Sequence, residues 1–355
     1  MKFNHFLMGA ALLALSYSCT KDNQHTPVEE ANLEIENRAQ VVLPAGSVDG
    51  LAGAIADAGP NGTVIVQAGT HYLNSTVEIS HRVTIKGQPG AVIIADVPAL
   101  LDYDAVLQPA LYINGGAKTV IEGLNIQAAN DPAGNAILVF NANQVTIRNN
   151  SFTNFQFTIL VEQSNQVTIQ NNTVTSTFTW ATVAFYPVHG IVIINGTKAQ
   201  VRDNTVSQAI FGIWACDLDG IATGNEMFAN VLGLILCTVP PGSFPLPNGT
   251  LAGSANPAGK WTVTNNNSHS NFETGYVVID GANNCMLSNN QASNNAAYDV
   301  ELAGDTERYG FLAPASYNNQ VNVGGANAAM TIKDCGINNT VIGGTPIDTN
   351  EDPCV

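Results

Sequence analysis

The hydrophobic pattern of this chain has two periods, one nested in the other. Within short segments apolar and polar residues alternate, as in Val145-Thr146-Ile147-Arg148 and Val167-Thr168-Ile169-Gln170. That alternation predicts strands with one buried face. The segments themselves return at a nearly fixed interval. An Asn-Asn phrase closes at Asn149-Asn150 and again at Asn171-Asn172, with looser copies ending at Asn204, Asn266 and Asn290. The step is 22 residues from Asn150 to Asn172, 21 from Asn204 to Asn225 and 24 from Asn266 to Asn290. A second phrase keeps the same time: Gly190-Ile191-Val192-Ile193, Gly212-Ile213-Trp214-Ala215, Gly233-Leu234-Ile235-Leu236 and Gly275-Tyr276-Val277-Val278. Units this short cannot bury their own apolar side chains, so they stack on their neighbours. The prediction is an all-β solenoid over residues 46–355, with strands stacked about 4.8 Å apart.

Stacking places like upon like. Ile147, Ile169, Val201 and Val263 form one inward column, and Ile159, Ile191, Ile213 and Leu234 another; β-branched residues suit such pleated surfaces. The paired asparagines belong at corners. Asn tolerates left-handed backbone angles, and its amide can hydrogen-bond from coil to coil as a ladder. Short strands are expected at residues 63–66, 76–79, 83–87, 91–94, 110–113 and 120–126, with the last coils near 320–323 and 340–342. Residues 95–108 form an acidic, irregular excursion.

The start of the repeat region reads Leu51-Ala52-Gly53-Ala54-Ile55-Ala56-Asp57-Ala58, then Pro60-Asn61-Gly62-Thr63-Val64-Ile65-Val66 and Gly69-Thr70-His71-Tyr72. Together with the repeated phrases this resembles the right-handed parallel β-helix of the pectate-lyase-like superfamily. The resemblance implies a single-stranded right-handed solenoid whose first coil is covered by an N-terminal capping helix. The spacing of Val48, Leu51 and Ile55 agrees, with Ser47 as its N-cap. It implies no particular reaction, because this coil carries many functions.

Two insertions break the period. Asn172 to Asn204 is 32 residues, the excess lying at 177–189; Asn225 to Asn266 is 41, the excess at 238–260. The second holds Pro240, Pro241, Pro245, Pro247 and Pro257, which reads as a loop without strands. By repeat order both flank the Gly-Ile face, the usual place for a solenoid to bind. Residues 304–310 read as a further polar loop.

Ahead of the repeats, Lys2 and the apolar run Leu7 to Leu15 read as a targeting segment over residues 1–18, too short to span a bilayer. Ser16-Tyr17-Ser18-Cys19 resembles a lipoprotein processing site with Cys19 as the lipid anchor. Residues 19–45 are polar and read as a flexible tether. These features imply an outer-membrane lipoprotein that touches the membrane through its lipid alone.

Charge narrows the partners. The formal net charge is −16 with only 12 Lys plus Arg, so no basic patch exists and a nucleic-acid partner is not expected. A polyanion is repelled over the whole surface. Of 6 cysteines, Cys216 and Cys237 occupy equivalent places in adjacent coils and can form a disulfide. Cys335 and Cys354 can close a terminal cap, which leaves Cys285 free and buried.

Alternation sets Leu138, Leu160, Val192, Trp214, Ile235, Val277 and Glu301 outward in one column of the Gly-Ile face. The next is Phe140, Glu162, Ile194, Cys216, Cys237 and Ile279. This wall is apolar, with carboxylates at its ends and no Lys or Arg on its strands. Arg148 and Arg202 lie on a different face. A uronate lyase needs a strong base beside Ca²⁺-bound carboxylates, and none can be assembled. A hydrolase needs two carboxyls across a glycosidic bond. Asp217 and Asp280, two coils and about 9.6 Å apart by strand spacing, are the catalytic candidates, with His189 or Glu301 in support. Both Asp residues also read as turn residues. Trp214, Trp180 and Tyr186 are candidates for stacking on sugars or for covering the wall. No resident metal or cofactor is expected, although Asp299, Glu301, Asp305 and Glu307 could gather Ca²⁺. Two functions stand: a non-catalytic face binding a polysaccharide or a surface protein, or a polysaccharide-degrading enzyme, a hydrolase before a lyase.

Overall fold

The computed structural model describes residues 39–349, apart from 99–105, 131–132, 178–187, 240–241, 254–255, 309–310, 325–326 and 328, together with Cys354. The expected targeting segment, Cys19 and most of the expected tether lie outside the described residues, as do Trp180 and Tyr186.

Three parallel sheets of twelve, nine and eleven strands form the coil, the central turns contributing one strand to each sheet in order. One turn runs Thr146–Arg148 in the first sheet, Ser151–Thr153 in the second and Phe155–Glu162 in the third. The next turn begins at Thr168–Gln170, stacked on Thr146–Arg148 with Ile147 opposite Ile169. The expected inward columns are present: Ile169 pairs with Val201, and Ile159 with Ile191. Ile213 and Leu234 continue the second column, and these side chains belong to one continuous buried core.

The two asparagines of each corner divide the work. The first takes the left-handed backbone: φ is 56° at Asn149, 53° at Asn171, 56° at Asn265 and 54° at Asn289, with Asp203 and Gly224 filling the same role. The second is buried and builds the ladder. The Asn204 Nδ2 donates to Asn225 Oδ1 at 3.0 Å and to the Ile169 carbonyl at 2.9 Å. Its own Oδ1 accepts from the Asn172 Nδ2 and backbone amide, both at 3.0 Å. The same links join Asn150 to Asn172 and run on through Asn266 to Asn290.

The Gly-Ile phrase has an equally local cause. A Cβ on Gly212 would stand 2.6 Å from the Gly233 carbonyl oxygen in the coil above, closer than real Cβ atoms approach.

Several boundaries differ from the sequence reading. Gln40–Leu43 is already a strand, paired in register with Thr63–Val66, so the coil begins before residue 46. The capping helix is Gly50–Ala58, packed on the core through Leu51, Ala54, Ile55 and Ala58. Its N-cap is Asp49 in the left-handed conformation rather than Ser47. The Asp49 carboxylate is instead used by Asn74, accepting from its amide at 2.7 Å and its Nδ2 at 3.1 Å. Residues 120–126 hold two strands, Val120–Glu122 and Asn125–Ala128, bent at a corner. The insertion at 238–260 carries a short antiparallel hairpin, Phe244–Pro245 with Leu251–Ala252. Pro245 does not prevent it, because a proline is tolerated in a short edge strand, where its missing N–H need not serve a longer ladder. The polar loop after Gly304 is also a hairpin, Thr306–Arg308 with Phe311–Ala313.

Candidate functional site

The outer face of the third sheet is where the 238–260 insertion meets the coil. Its register follows the expected column: Leu138 pairs with Leu160, Leu160 with Val192 and Val192 with Trp214. Trp214 then pairs with Ile235, Ile235 with Val277, and Val277 with Glu301. Most of this wall is buried although it faces away from the core, forming a second apolar cluster. Val239, Leu246 and Ala252 of the 238–260 insertion belong to that cluster and cover it. The Leu107 amide fastens the arm by donating to the Pro245 carbonyl at 2.9 Å.

Among the described residues, burial is less complete around Trp214. Phe211, Trp214 and Leu232 are only partly buried against the cluster. Phe211 and Trp214 meet edge to face with centroids 5.0 Å apart. His189 lies among Phe157, Phe211 and Trp214, at 4.7, 5.1 and 5.2 Å between centroids. Burial lowers its pKa from 6.5 to about 3, so the imidazole is neutral near neutral pH. It is poorly poised as a general acid or base. Beneath Trp214, Cys216 and Cys237 are bonded as a disulfide, and the indole Nε1 donates to the Cys237 sulfur at 2.6 Å.

The carboxylate candidates are dispersed. Asp217 continues the inward series of Ile213 and Ala215, both core residues, and is 2% exposed. The nearby Trp261 Nε1 donates to the Asp217 backbone carbonyl at 3.1 Å, and neither Asp217 carboxyl oxygen makes a well-formed hydrogen bond. Burial, with Asp219 adding to it, pushes its pKa from 3.8 up to about 8. It therefore lies behind the wall and not on it. Asp280 sits at the equivalent corner with φ 55°, a turn conformation, and its carbonyl accepts from Thr238 Oγ1 at 2.7 Å. Asp217 is buried, whereas Asp280 is only partly so. Glu301 ends the column half-buried, and its register partner in the next coil is Lys333. Lys333 corrects the expectation of a cation-free face. Its Nζ stands 5.0 Å from the Tyr298 ring centroid and donates to the Tyr298 hydroxyl at 3.2 Å. The expected acidic cluster is likewise divided. Asp299 accepts from Asn295 Nδ2 at 2.8 Å and from the Thr331 amide at 2.9 Å. Asp305 accepts from the Ala315 amide at 2.5 Å. Among the described residues no three His, Cys, Asp or Glu side chains gather to hold a metal ion.

The family profile described as "right handed beta helix region" matches residues 71–236. The chain has the right-handed parallel β-helix fold. No curated protein matches its sequence. Among solved structures this β-helix is similar to the A-module of mannuronan C-5 epimerase AlgE4 from Azotobacter vinelandii, with TM-score 0.51 and 16% identity over 81% of this chain and 88% of that one. It is also similar to the Streptococcus pneumoniae surface protein and adhesin PfbA, with TM-score 0.52 and 10% identity over 84% and 93% of the two chains. A third is the tailspike protein of E. coli bacteriophage HK620, solved with a pentasaccharide: TM-score 0.52 and 10% identity over 88% of this chain and 58% of that one. At such identities the likeness shows the fold, the right-handed parallel β-helix expected from the repeats.

One residue of this β-helix stands out that the sequence reading left as a member of a column. Glu162 is fully buried on the outer wall beneath the arm. Its Oε1 accepts from Asn195 Nδ2 at 3.3 Å. Burial raises its pKa from 4.5 to about 7, opposed by hydrogen bonds from Asn195 and the Gly253 backbone. A carboxyl flanked by Phe140 and Ile194 in its own column was the available signal.

Proposed function

We propose that this β-helix is an extracytoplasmic binding protein that presents the outer face of its third sheet to a glycan or a surface protein, without catalysing a reaction. The observation that carries the reading is the partly buried shelf of Phe211, Trp214 and Leu232, set in an otherwise covered wall. Partly buried aromatic side chains supply contact area at low entropic cost, which is what a sugar or protein partner requires. The inward placement of Asp217 and the neutral, caged His189 argue against the hydrolase alternative. Similar solved structures include a surface adhesin and a tailspike holding a pentasaccharide, which is compatible with this reading. Glycan-array binding run beside a reducing-sugar release assay tests it. Binding without release, lost in Trp214→Ala, supports the proposal; release abolished by Asp217→Asn refutes it.

We further propose that Cys19 is the lipid anchor, with the residues up to about the first strand acting as a tether from the outer membrane. No helix among the described residues is long and apolar enough to cross a membrane, which is compatible with an anchor of this type. Cys19→Ala is expected to move the protein from the membrane fraction to the soluble one; unchanged fractionation would contradict the anchor.

A further inference from the structure

We infer that the ligand of the Phe211, Trp214 and Leu232 shelf is an uncharged glycan, met through the apolar faces of its sugar rings, and not a polyuronate. This rests on the glycan-binding reading above and narrows it to a substrate class.

The argument starts from charge. The strands that build the shelf and its surroundings, Phe155–Glu162, His189–Thr197, Phe211–Leu218 and Leu232–Leu236, contain no Lys or Arg. His189 does not supply a cation in their place, because burial keeps the ring neutral. Lys333 is on the same sheet, but its strand lies three rungs beyond Leu232–Leu236, a distance of about 14 Å at the usual strand spacing. It is occupied there by Tyr298. Arg148 lies on the first sheet and is paired with Glu122 at 2.6 Å. A uronate carboxylate seated on the shelf would therefore lose water without gaining an ion pair, a cost that apolar contact does not offset.

The rim points the same way. In the coil after Leu232, the amides of Phe272 and Glu273 donate to the carbonyls of Asn230 and Val231, at 2.8 and 2.9 Å. That places an exposed aromatic residue and an exposed carboxylate beside the shelf. Glu273 can accept hydrogen bonds from sugar hydroxyls but repels an anion. With a net charge of −16 over the whole chain, long-range steering also disfavours a polyanion. Nor do the described residues hold a cluster that would bridge a uronate through a divalent ion.

The test is affinity electrophoresis of the full chain in gels containing a soluble β-glucan, a galactomannan or an arabinoxylan. Parallel gels contain polygalacturonate, alginate or chitosan oligomers, each at low and high salt. Retardation by at least one neutral glycan, unchanged by salt, is expected. Trp214→Ala and Phe211→Ala should each weaken it by about tenfold while thermal melts show a folded protein. Retardation by a polyuronate or by chitosan that fades with salt and requires Trp214 would overturn the inference and leave the glycan-binding reading standing. A folded protein retarded by no glycan at all would remove both.

Discussion

At the scale of single residues, the corner asparagines carry more of the fold than their polarity suggests. The Asn204 side chain alone takes part in four hydrogen bonds in the interior of the ladder. Replacing it by Ala would leave the Asn172 amide without its partner and remove one hydrogen bond each from the Ile169 carbonyl, the Asn172 Nδ2 and the Asn225 Oδ1. Each buried unsatisfied group costs on the order of 1–3 kcal/mol, partly relieved by relaxation. Asn204→Ala is therefore expected to lower unfolding free energy by about 3 kcal/mol in urea titration, whereas Asn149→Gly, at a left-handed corner position, is expected to be nearly neutral. Equal losses from both would contradict the division of labour within the pair. Gly212 has a different constraint. Gly212→Ala should destabilise the third sheet locally, because the new methyl group meets the backbone oxygen of Gly233, which cannot move aside like a flexible side chain. A marked drop in melting temperature is the expected readout.

At the scale of elements, the arm over residues 238–258 is the informative piece. Its Pro and Gly content reads as a loop, and locally it is one. Its burial comes from Val239, Leu246 and Ala252 meeting the wall, a long-range contact that no local spacing encodes. The same blindness hid Lys333, since the repeat phrase has loosened by the strand Thr331–Asp334 and only the register reveals its place beside Glu301. Inward columns, by contrast, were legible from the nested periods because each inward residue repeats its neighbour's chemistry. Between 238 and 258 the arm has no titratable side chain, and the buried Glu162 carboxyl meets its Gly253 backbone, so pH is expected to act on the arm through Glu162. The folded value is raised to about 7 from 4.5. Below pH 4.5 the carboxyl is protonated whether the arm is closed or open, and the arm is held at full strength. As pH rises from 4.5 to about 7 the open state ionises first, so closure weakens across that window and levels off above it. Hydrogen exchange corrected for intrinsic rates should show faster opening of residues 242–253 at pH 8 than at pH 5. Glu162→Gln should remove the difference; a difference that persists in the variant would assign it to another group.

At the scale of the whole molecule, the coil is a rigid ladder that turns a repeat into a surface. Fold class, corner chemistry and the order of the outer columns were all readable, because stacking forces equivalent residues together. Side-chain direction at strand ends was not. Asp217 and Asp280 are equivalent in the repeat, yet one continues an inward series and the other occupies a left-handed corner. The repeat places backbones, while each corner decides where its side chains point. The central claim is that recognition occurs on the third sheet, at the shelf of Phe211, Trp214 and Leu232. Hydrogen exchange of the protein with and without a bound glycan measures this most directly. Protection confined to Phe211–Leu218, Leu232–Leu236 and the neighbouring 270–275 segment is the predicted footprint. Protection along the Asn corners or on the first sheet, with the third sheet unchanged, would contradict it.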